Sequence, residues 1–433
     1  MRQIISLMVV VGLLVTSTAG AAVSDEEFQK LREQLASISQ RLDKLAAENA
    51  ELRAAHRESA GPNGDANVAV AVTQAMPAPA AADDWSDRIA LDGDFRYRYE
   101  RISLEDSANR TRNRIRARAN IKADVADNIE VGFGLATGGD DPVSTNQTLG
   151  GGSSSKSVVL NLAYVDWEAA DGLHLFAGKY KNPLFRVAGQ SLTWDGDWTP
   201  EGLALKYQRN WFFANAIGTY FESDTKKSND NFSWGGQVGA SGTIGPIELT
   251  GGVGYYSIPT RGATTTFGDP TDPADFFGNT AVEPGGQPCG TTPDTECVYV
   301  YDYELTQVFA EAAFDLGEWP ALVFFDYVNN SDPSDNDTGW TLGGKIGQAK
   351  DRGQMQFTYF FADKEADSMF GLVTDSDFGG GGTDSKGHWL QFNYGVNKSW
   401  TIGAQYFINE VDLASGSKSD YNRLAIDMQW KWK

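Results

Sequence analysis

Two adjacent stretches decide the fold: Ile89-Ala-Leu-Asp-Gly-Asp-Phe-Arg-Tyr-Arg-Tyr-Glu100 and Thr111-Arg-Asn-Arg-Ile-Arg-Ala-Arg-Ala-Asn-Ile-Lys122. In the first, Ile89, Leu91, Phe95, Tyr97 and Tyr99 occupy odd positions, while Asp92, Asp94, Arg96, Arg98 and Glu100 occupy even ones. In the second, Ile115, Ala117, Ala119 and Ile121 alternate with Arg112, Arg114, Arg116, Arg118 and Lys122. Successive side chains of a strand point to opposite faces, so each stretch has one apolar face and one densely charged face. A soluble sandwich with its charged face in water would show the same alternation. The connections between strands separate the two possibilities.

The same texture runs from Trp85 to the end of the chain. Strands are expected at 87–101, 110–125, 128–137, 157–169, 173–180, 201–209, 211–222, 232–243, 246–258, 299–314, 319–329, 339–348, 353–362, 387–396, 399–410 and 421–432. Short turns (Asp127-Asn128, Ala170-Asp171-Gly172, Ile244-Gly245-Pro246, Asn397-Lys398) alternate with longer polar loops (138–156, 181–200, 259–298, 363–386). That alternation marks an all-β transmembrane fold, a sixteen-stranded antiparallel up-and-down β-barrel. Its last strand turns Leu424, Ile426, Met428, Trp430 and Trp432 outward against Arg423, Asp427, Gln429 and Lys431. Trp167, Tyr180, Trp211, Tyr256, Trp319, Trp340, Trp400 and Trp430 lie near strand ends, where interfacial girdles place aromatic rings. The 433 residues include 47 glycines and 12% aromatics, which suits many strands and tight turns. No stretch beyond the N-terminus approaches the roughly 18 to 20 consecutive apolar residues of a spanning helix. A membrane crossing would therefore have to use strands.

The N-terminal region reads differently. Arg2, an apolar run from Ile4 to Val15 and Ala19-Gly20-Ala21 form the pattern of a secretory signal over 1–21. Residues 23–58 carry a 3,4 apolar spacing at Phe28, Leu31, Leu35, Ile38, Leu42, Leu45, Asn49 and Leu52. The expectation is an α-helical coiled coil in the periplasm, with Asn49 as its polar register position; the alternative is a helix packed on its own barrel. Residues 59–84, rich in Ala, Pro, Gly and Asn, read as a flexible linker, and 85–433 as the barrel domain. Cys289 and Cys297 are the only cysteines, and an exported chain would oxidise them to a loop-closing disulfide. The net charge of −22 argues against nucleic acid as a partner, although its distribution matters more than its sum.

Three stretches resemble the family Putative porin of proteobacterial outer membranes: AYVDW (Ala163 to Trp167) with AGKYKNPLF (Ala177 to Phe185), WDGDWTPEGLAL (Trp194 to Leu205), and TDSDFGGGGTDSKGH (Thr374 to His388). The resemblance implies a sixteen-stranded barrel, homo-oligomers of trimeric type and passive transport of small ions and solutes, with outer-membrane lipid and lipopolysaccharide as surroundings. It names no substrate and no cofactor.

Charge placement carries the functional reading. Arg96, Arg98, Arg112, Arg114, Arg116, Arg118 and Lys122 would line the pore on the inner face of the first hairpin. Guanidiniums two residues apart stand about 6 to 7 Å apart and could pass an anion along the wall. Alternatively, antiparallel pairing sets Arg116 and Arg118 near Asp94 and Asp92 and makes a stiffening salt-bridge lattice. The loop from Lys181 to Pro200 is in the position to fold inward as a constriction, with Lys181 and Arg186 facing Asp195, Asp197 and Glu201. The alternative is an extracellular loop capped by Trp194 and Trp198. Acids in other loops, including Asp140, Asp141, Asp367, Asp375 and Asp377, read as solvated surface or as cation sites shared with lipopolysaccharide. No metal site is expected. His56, His174 and His388 are the only histidines, and the neighbours Asp384, Ser385 and His388 do not make a catalytic triad by adjacency. The sequence thus points to a diffusion channel, with a structural tether joining barrel to cell wall as its rival and an enzyme as the third possibility.

Overall fold

The computed structural model describes residues 88–190, 192–223 and 231–433. The expected signal, coiled coil and linker lie outside the described residues. Within them, strands β1 (Ile89–Leu104), β2 (Arg110–Ala126), β3 (Ile129–Thr137), β4 (Val158–Ala170), β5 (Leu173–Lys179), β6 (Glu201–Arg209), β7 (Phe212–Glu222) and β8 (Asn231–Ile244) form the first half of the sheet. The second half consists of β9 (Ile247–Ile258), β10 (Tyr303–Leu316), β11 (Trp319–Asn330), β12 (Thr338–Gly347), β13 (Met355–Lys364), β14 (Ser385–Asn397), β15 (Trp400–Val411) and β16 (Ser419–Trp432). Each strand pairs antiparallel with its sequence neighbour. β1 also pairs with β16, from Gly93↔Trp432 to Leu104↔Tyr421, so the sheet closes. A seventeenth member, the two-residue Gln147–Thr148, lies against β2 inside the long β3–β4 connection. The largest departure from the expected boundaries is β10, which begins at Tyr303 because the preceding loop extends through 302.

Closure removes every sheet edge and satisfies the backbone within the wall, the condition lipid imposes. The outward face is apolar: Leu91 is 58% exposed, Leu342 55% and Leu203 67%. Such a belt of exposed large hydrophobics is unusual on a soluble chain and suits a lipid surround. Trp167, Trp211, Trp319, Trp400 and Trp430 lie at the turn end of the wall, with Trp400 stacked on Trp430 at 5.5 Å. Two aromatics expected in the girdles do not belong there. Tyr180 and Tyr256 are fully buried on the inner side, because they sit at inward-pointing positions: Tyr180 donates to the Leu203 carbonyl and Tyr256 to Gln307 Oε1. Gly172 shows why the turns are short and glycine-bearing: its φ is +73°, and a Cβ there would lie 2.2 Å from the Gln208 carbonyl of the next turn.

The interior is filled unevenly. The loop 180–200 enters the barrel with Leu184, Val187, Leu192, Trp194 and Trp198 buried. The loop 365–384 does the same with Met369, Phe370, Leu372, Val373 and Phe378. Both pack on inward side chains of β7 to β15, including Phe213, Tyr256, Phe309, Phe360 and Trp389. The loop 259–302, in which Cys289 and Cys297 are disulfide-bonded, rests on the second of them: Asn279 Nδ2 donates to the carbonyls of Ala366 and Met369. Trp194 and Trp198, only 2% and 4% exposed, stack on each other inside the barrel and do not cap an external loop.

Candidate functional site

The period-2 alternation of β1, β2 and β16 places one wall of arginines on the inner face. The register sets Arg96 opposite Arg116 and Arg98 opposite Arg114. Like charges directly opposite one another destabilise a sheet, so the wall needs carboxylates from elsewhere. Three come from the strands themselves. Asp94 takes Arg116 (2.9 Å) and Arg118 (2.6 Å), Asp427 takes Arg98 through two parallel bonds (2.6 and 2.8 Å), and Glu100 takes Arg112 and Arg423. Two more come from the inserted loops. Asp197 bridges Arg118 (2.8 Å) and Arg116 (3.4 Å), and Asp377 bridges Arg98 (2.7 Å) and Arg423 (2.7 Å).

The loops deliver these two carboxylates by the same local device. Each carries an Asp-x-Asp, Asp195-Gly-Asp197 in one and Asp375-Ser-Asp377 in the other. The first acid turns back on the backbone: Asp195 accepts from Asp197 N (2.6 Å) and Ser376 N (3.0 Å), and Asp375 accepts from Asp377 N and Phe378 N (both 2.8 Å). Such Asx bonds hold the turn and aim the second acid at the arginines. The neighbouring guanidiniums hold Asp197 and Asp377 below the usual carboxylate range against the penalty of burial. Burial pushes Asp195 and Asp375 up, reinforced by the acids beside them. The bond from Ser376 N to Asp195 and that from Asp195 N to the Val373 carbonyl (2.7 Å) lock the two loops together.

The first loop is also pinned from the far wall. Phe185 N donates to Gln237 Oε1 (2.7 Å), Ala188 N to Glu311 Oε2 (2.6 Å), and Lys345 Nζ to the Ala188 carbonyl. Gln237, Gln307 and Asp326 continue this contact as a buried polar chain, with Gln307 Nε2 donating to Asp326 at 2.9 Å.

Of the residues singled out from the sequence, Arg98, Arg112, Arg116 and Arg118 are ion-paired as described, and Lys122 donates to Glu130 (3.1 Å). Arg96 and Arg114 differ. Arg96 donates to Asn146 Oδ1 (2.6 Å) and Arg114 to Ser144 Oγ (3.4 Å), both on the 138–157 loop, the Nε of each is buried without a partner, and only Arg114 has a carboxylate nearby, Glu100 at 3.7 Å. Glu201 receives Lys179 (2.7 Å) at the start of β6, apart from the other four loop residues. Among the described residues, Lys181 and Arg186 form no ion pair; both lie in a cavity that Asp197 also lines.

Asp367, Asp375 and Asp377, expected on an outer surface, are inside: Asp367 accepts from Thr280 and from Tyr303, and the other two serve the loop junction. The three residues near His388 point apart, since positions three apart in a strand face opposite ways; His388 meets Tyr359 on the outer face, and Asp384 accepts from Ala414 N. Among the described residues no group of three or more His, Cys, Asp or Glu is arranged to hold a metal ion.

Two cavities flank the first loop, one beside the arginines and one along the 138–157 loop and strands β4 to β7. One, of about 370 Å³, opens toward the turn end between the loop and Asp92, Asp94, Arg118 and Lys431. The other, of about 820 Å³, is bounded by Asp140, Asp141, Lys179, Glu201 and Tyr220. Asn161, Asp197 and Thr199 line both. Sequence reading missed Arg423, Glu100, Asp427 and Asp377 as one network. The inward parity of the first three was visible, but the chain order that brings β16 beside β1 shows itself only on closure.

A closed barrel of sixteen strands, apolar outside and ion-paired within, with loops folded into its lumen, defines a protein of the outer-membrane channel type. The chain belongs to the family Putative porin, which matches residues 103–266 and 288–432. Among solved structures, it is similar to OprB of Pseudomonas putida in its high-pH structure, at 12% identity and a TM-score of 0.52, covering 80% of this chain and 95% of that one. It also aligns with Salmonella typhi OmpF in complex with daunomycin, at 12% identity and a TM-score of 0.47, covering 81% of this chain and 99% of that one. Vibrio cholerae OmpT in its trimer form aligns at 14% identity and a TM-score of 0.45, covering 80% and 100%. At these identities the likeness to OprB concerns the fold. No curated protein sequence matches the chain.

Proposed function

We propose that the protein is a passive diffusion channel of a Gram-negative-type outer membrane, carrying small hydrophilic solutes along the arginine side of the lumen. One observation supports this above the others: two cavities, of about 370 and 820 Å³, lie side by side at the inserted loop and share Asn161, Asp197 and Thr199 as lining residues. In this reading Asp197 is the narrow point, held in place by Arg116 and Arg118. The arginine ladder is chiefly a brace, because most of its charge is spent on carboxylates. A mild anion preference comes from Arg96 and Arg114, whose charges have no carboxylate at hydrogen-bond distance.

No cofactor and no energy coupling are needed. The outer belt contacts lipid, the external loops meet lipopolysaccharide, and homo-oligomers, with trimers as the expected state, form through the heptads of residues 23–58. Planar-bilayer recording of purified protein tests the proposal. Step-like conductance increments are expected, and their absence across repeated insertions would defeat it.

A further inference from the structure

We propose that the cavity beneath the 180–200 loop is a binding site for small oxyanions, carboxylate or phosphate, and that this site, more than the arginine ladder, sets solute preference; the proposal rests on the channel reading. The cavity of about 370 Å³ is lined by Arg118, Lys181, Asn182, Arg186, Asp197 and Lys431, with Asp92 and Asp94 at its edge. The acids there are already engaged. Both oxygens of Asp94 and of Asp197 accept from Arg116 and Arg118, and Asp92 Oδ1 accepts from Asn120 (2.7 Å). The cations are not: among the described residues Lys181, Arg186 and Lys431 have no carboxylate within ion-pair distance. The cavity therefore carries an excess of positive charge beside a wall whose own charges are largely matched.

Asn182 lines the cavity as a fixed wall residue. Its Oδ1 is committed to Leu184 N (3.0 Å), which fixes the amide orientation and leaves Nδ2 buried, without a partner, among the residues lining the cavity. Arg186 lies against the Asp-Gly-Asp turn: a Cβ at Gly196 would come within 2.8 Å of Arg186 Nη1, so the glycine leaves room for the guanidinium. A planar fork and two ammonium groups around one space match the acceptor geometry of a carboxylate or phosphate. The volume lies near the lower end of small-molecule sites, roughly 300–1,000 Å³, which leaves room for the ligand's own water. Retained water keeps binding weak enough for release, as conduction requires.

The test pairs isothermal titration calorimetry in detergent with single-channel recording in KCl, using potassium succinate and inorganic phosphate as separate probes. Wild-type protein should bind at least one of them and show saturable current block by the same anion; which one responds distinguishes the carboxylate from the phosphate source. Lys181→Gln combined with Arg186→Gln should weaken binding and block on the order of tenfold, the value of a charge-assisted hydrogen bond. Gly196→Ala, whose Cβ would crowd Arg186 Nη1, should weaken both in the same direction and serves if the double variant folds poorly. Lys418→Gln, at an exposed position paired with Glu410 and lining neither cavity, should change neither. Wild-type channels that neither bind nor are blocked by either anion, or binding unchanged in both test variants, would overturn the proposal while leaving the channel reading intact. Calorimetric binding that follows the variants, without any conductance steps, would do the reverse.

Discussion

The two sides of this barrel interior hold the same pair of loops by opposite means. On the β1, β2 and β16 side, Asp197 and Asp377 reach four arginines, Arg116, Arg118, Arg98 and Arg423, already shared with Asp94, Glu100 and Asp427. On the β7 to β15 side, Phe185 packs on Phe309 (5.3 Å), Trp194 on Tyr256 (4.9 Å), and Phe370 on Phe221 (5.2 Å). The difference shows in the space each side leaves. Between the loops on the aromatic side the cavity is about 20 Å³, lined by Leu192, Phe360, Lys364 and Phe378 and large enough for about one water. Beside the arginines the cavity is about 370 Å³, and along the 138–157 loop and strands β4 to β7 two more of about 820 and 390 Å³ follow. Apolar side chains gain by excluding all space, whereas guanidinium–carboxylate lattices hold discrete geometries and tolerate water beside them. A solute path therefore belongs to the charged side, and the aromatic side is its foundation.

The comparison is most easily broken at Phe370. Its ring meets Phe221, Tyr299 (5.6 Å) and Tyr303 (5.5 Å), and truncation to Ala should cost about 3–5 kcal/mol by opening a cavity in packed surroundings. Thermal unfolding in detergent and proteolysis of the 365–384 loop measure it. A change too small to resolve would mean that the aromatic side does not anchor the loop. Asp377→Asn should cost less, about 2 kcal/mol, because Arg98 keeps Asp427 and Arg423 keeps Glu100 when the third carboxylate is neutralised. It should also raise single-channel conductance, since the loop end it frees faces the open side.

Acidity separates the two kinds of carboxylate. Asp377 and Asp197 are depressed, so they protonate more readily unfolded than folded; their stabilisation is present above the ordinary carboxylate range near 3.8 and is lost as pH falls through their folded values. Asp195 and Asp375 are raised, so the folded state takes up protons first, and their contribution improves as pH falls through those raised values toward the same range. Melting temperature should thus rise on acidification from neutral pH, then drop below the ordinary carboxylate range. Asp195→Asn should flatten the rising limb and leave the acid drop in place. Two parallel curves would sink the assignment.

Much of the wall was legible before any coordinates, because a period of two is local: the parity of Arg96, Arg112 or Asp427 follows from neighbours two residues away. Strand closure, and with it the approach of Arg98 to Asp427, depends on residues 329 apart and has no local signature. Loop insertion was half legible. The 180–200 loop stood in the right ordinal position, whereas 365–384 read as an acidic outer loop because Asp367, Asp375 and Asp377 outweighed Met369, Phe370, Leu372 and Phe378 in a composition judgement. Its Asp-x-Asp was the available signal, being the same turn that ends in Asp197. Tyr180 and Tyr256 misled for a related reason: an aromatic near a strand end suits a girdle or a lumen anchor equally, and only parity, blurred by irregular strand ends, tells them apart.

The smallest effect sharpens the comparison most. If the arginine wall were a conveyor, every member would matter to selectivity; if it is a brace, only the members without carboxylates should register. Arg96 and Arg114 bond to Asn146 and Ser144, and each keeps a buried Nε without a partner; Arg96 has no carboxylate within ion-pair distance, and the one near Arg114, Glu100 at 3.7 Å, is already held more closely by Arg112 and Arg423. Arg112 is engaged by Glu100 and contributes little field beyond the pair. Arg96→Gln or Arg114→Gln should lower anion over cation permeability by about twofold, the scale of one charge acting across several ångströms of water-like dielectric. Arg112→Gln should instead leave Glu100 less compensated and move the ratio less, with its main effect on thermal stability. Reversal potentials in a KCl gradient, at low and high total salt, separate these cases. Equal shifts from all three substitutions would show that the ladder conducts as a unit, and would erase the distinction between a wall that braces and a lumen that selects.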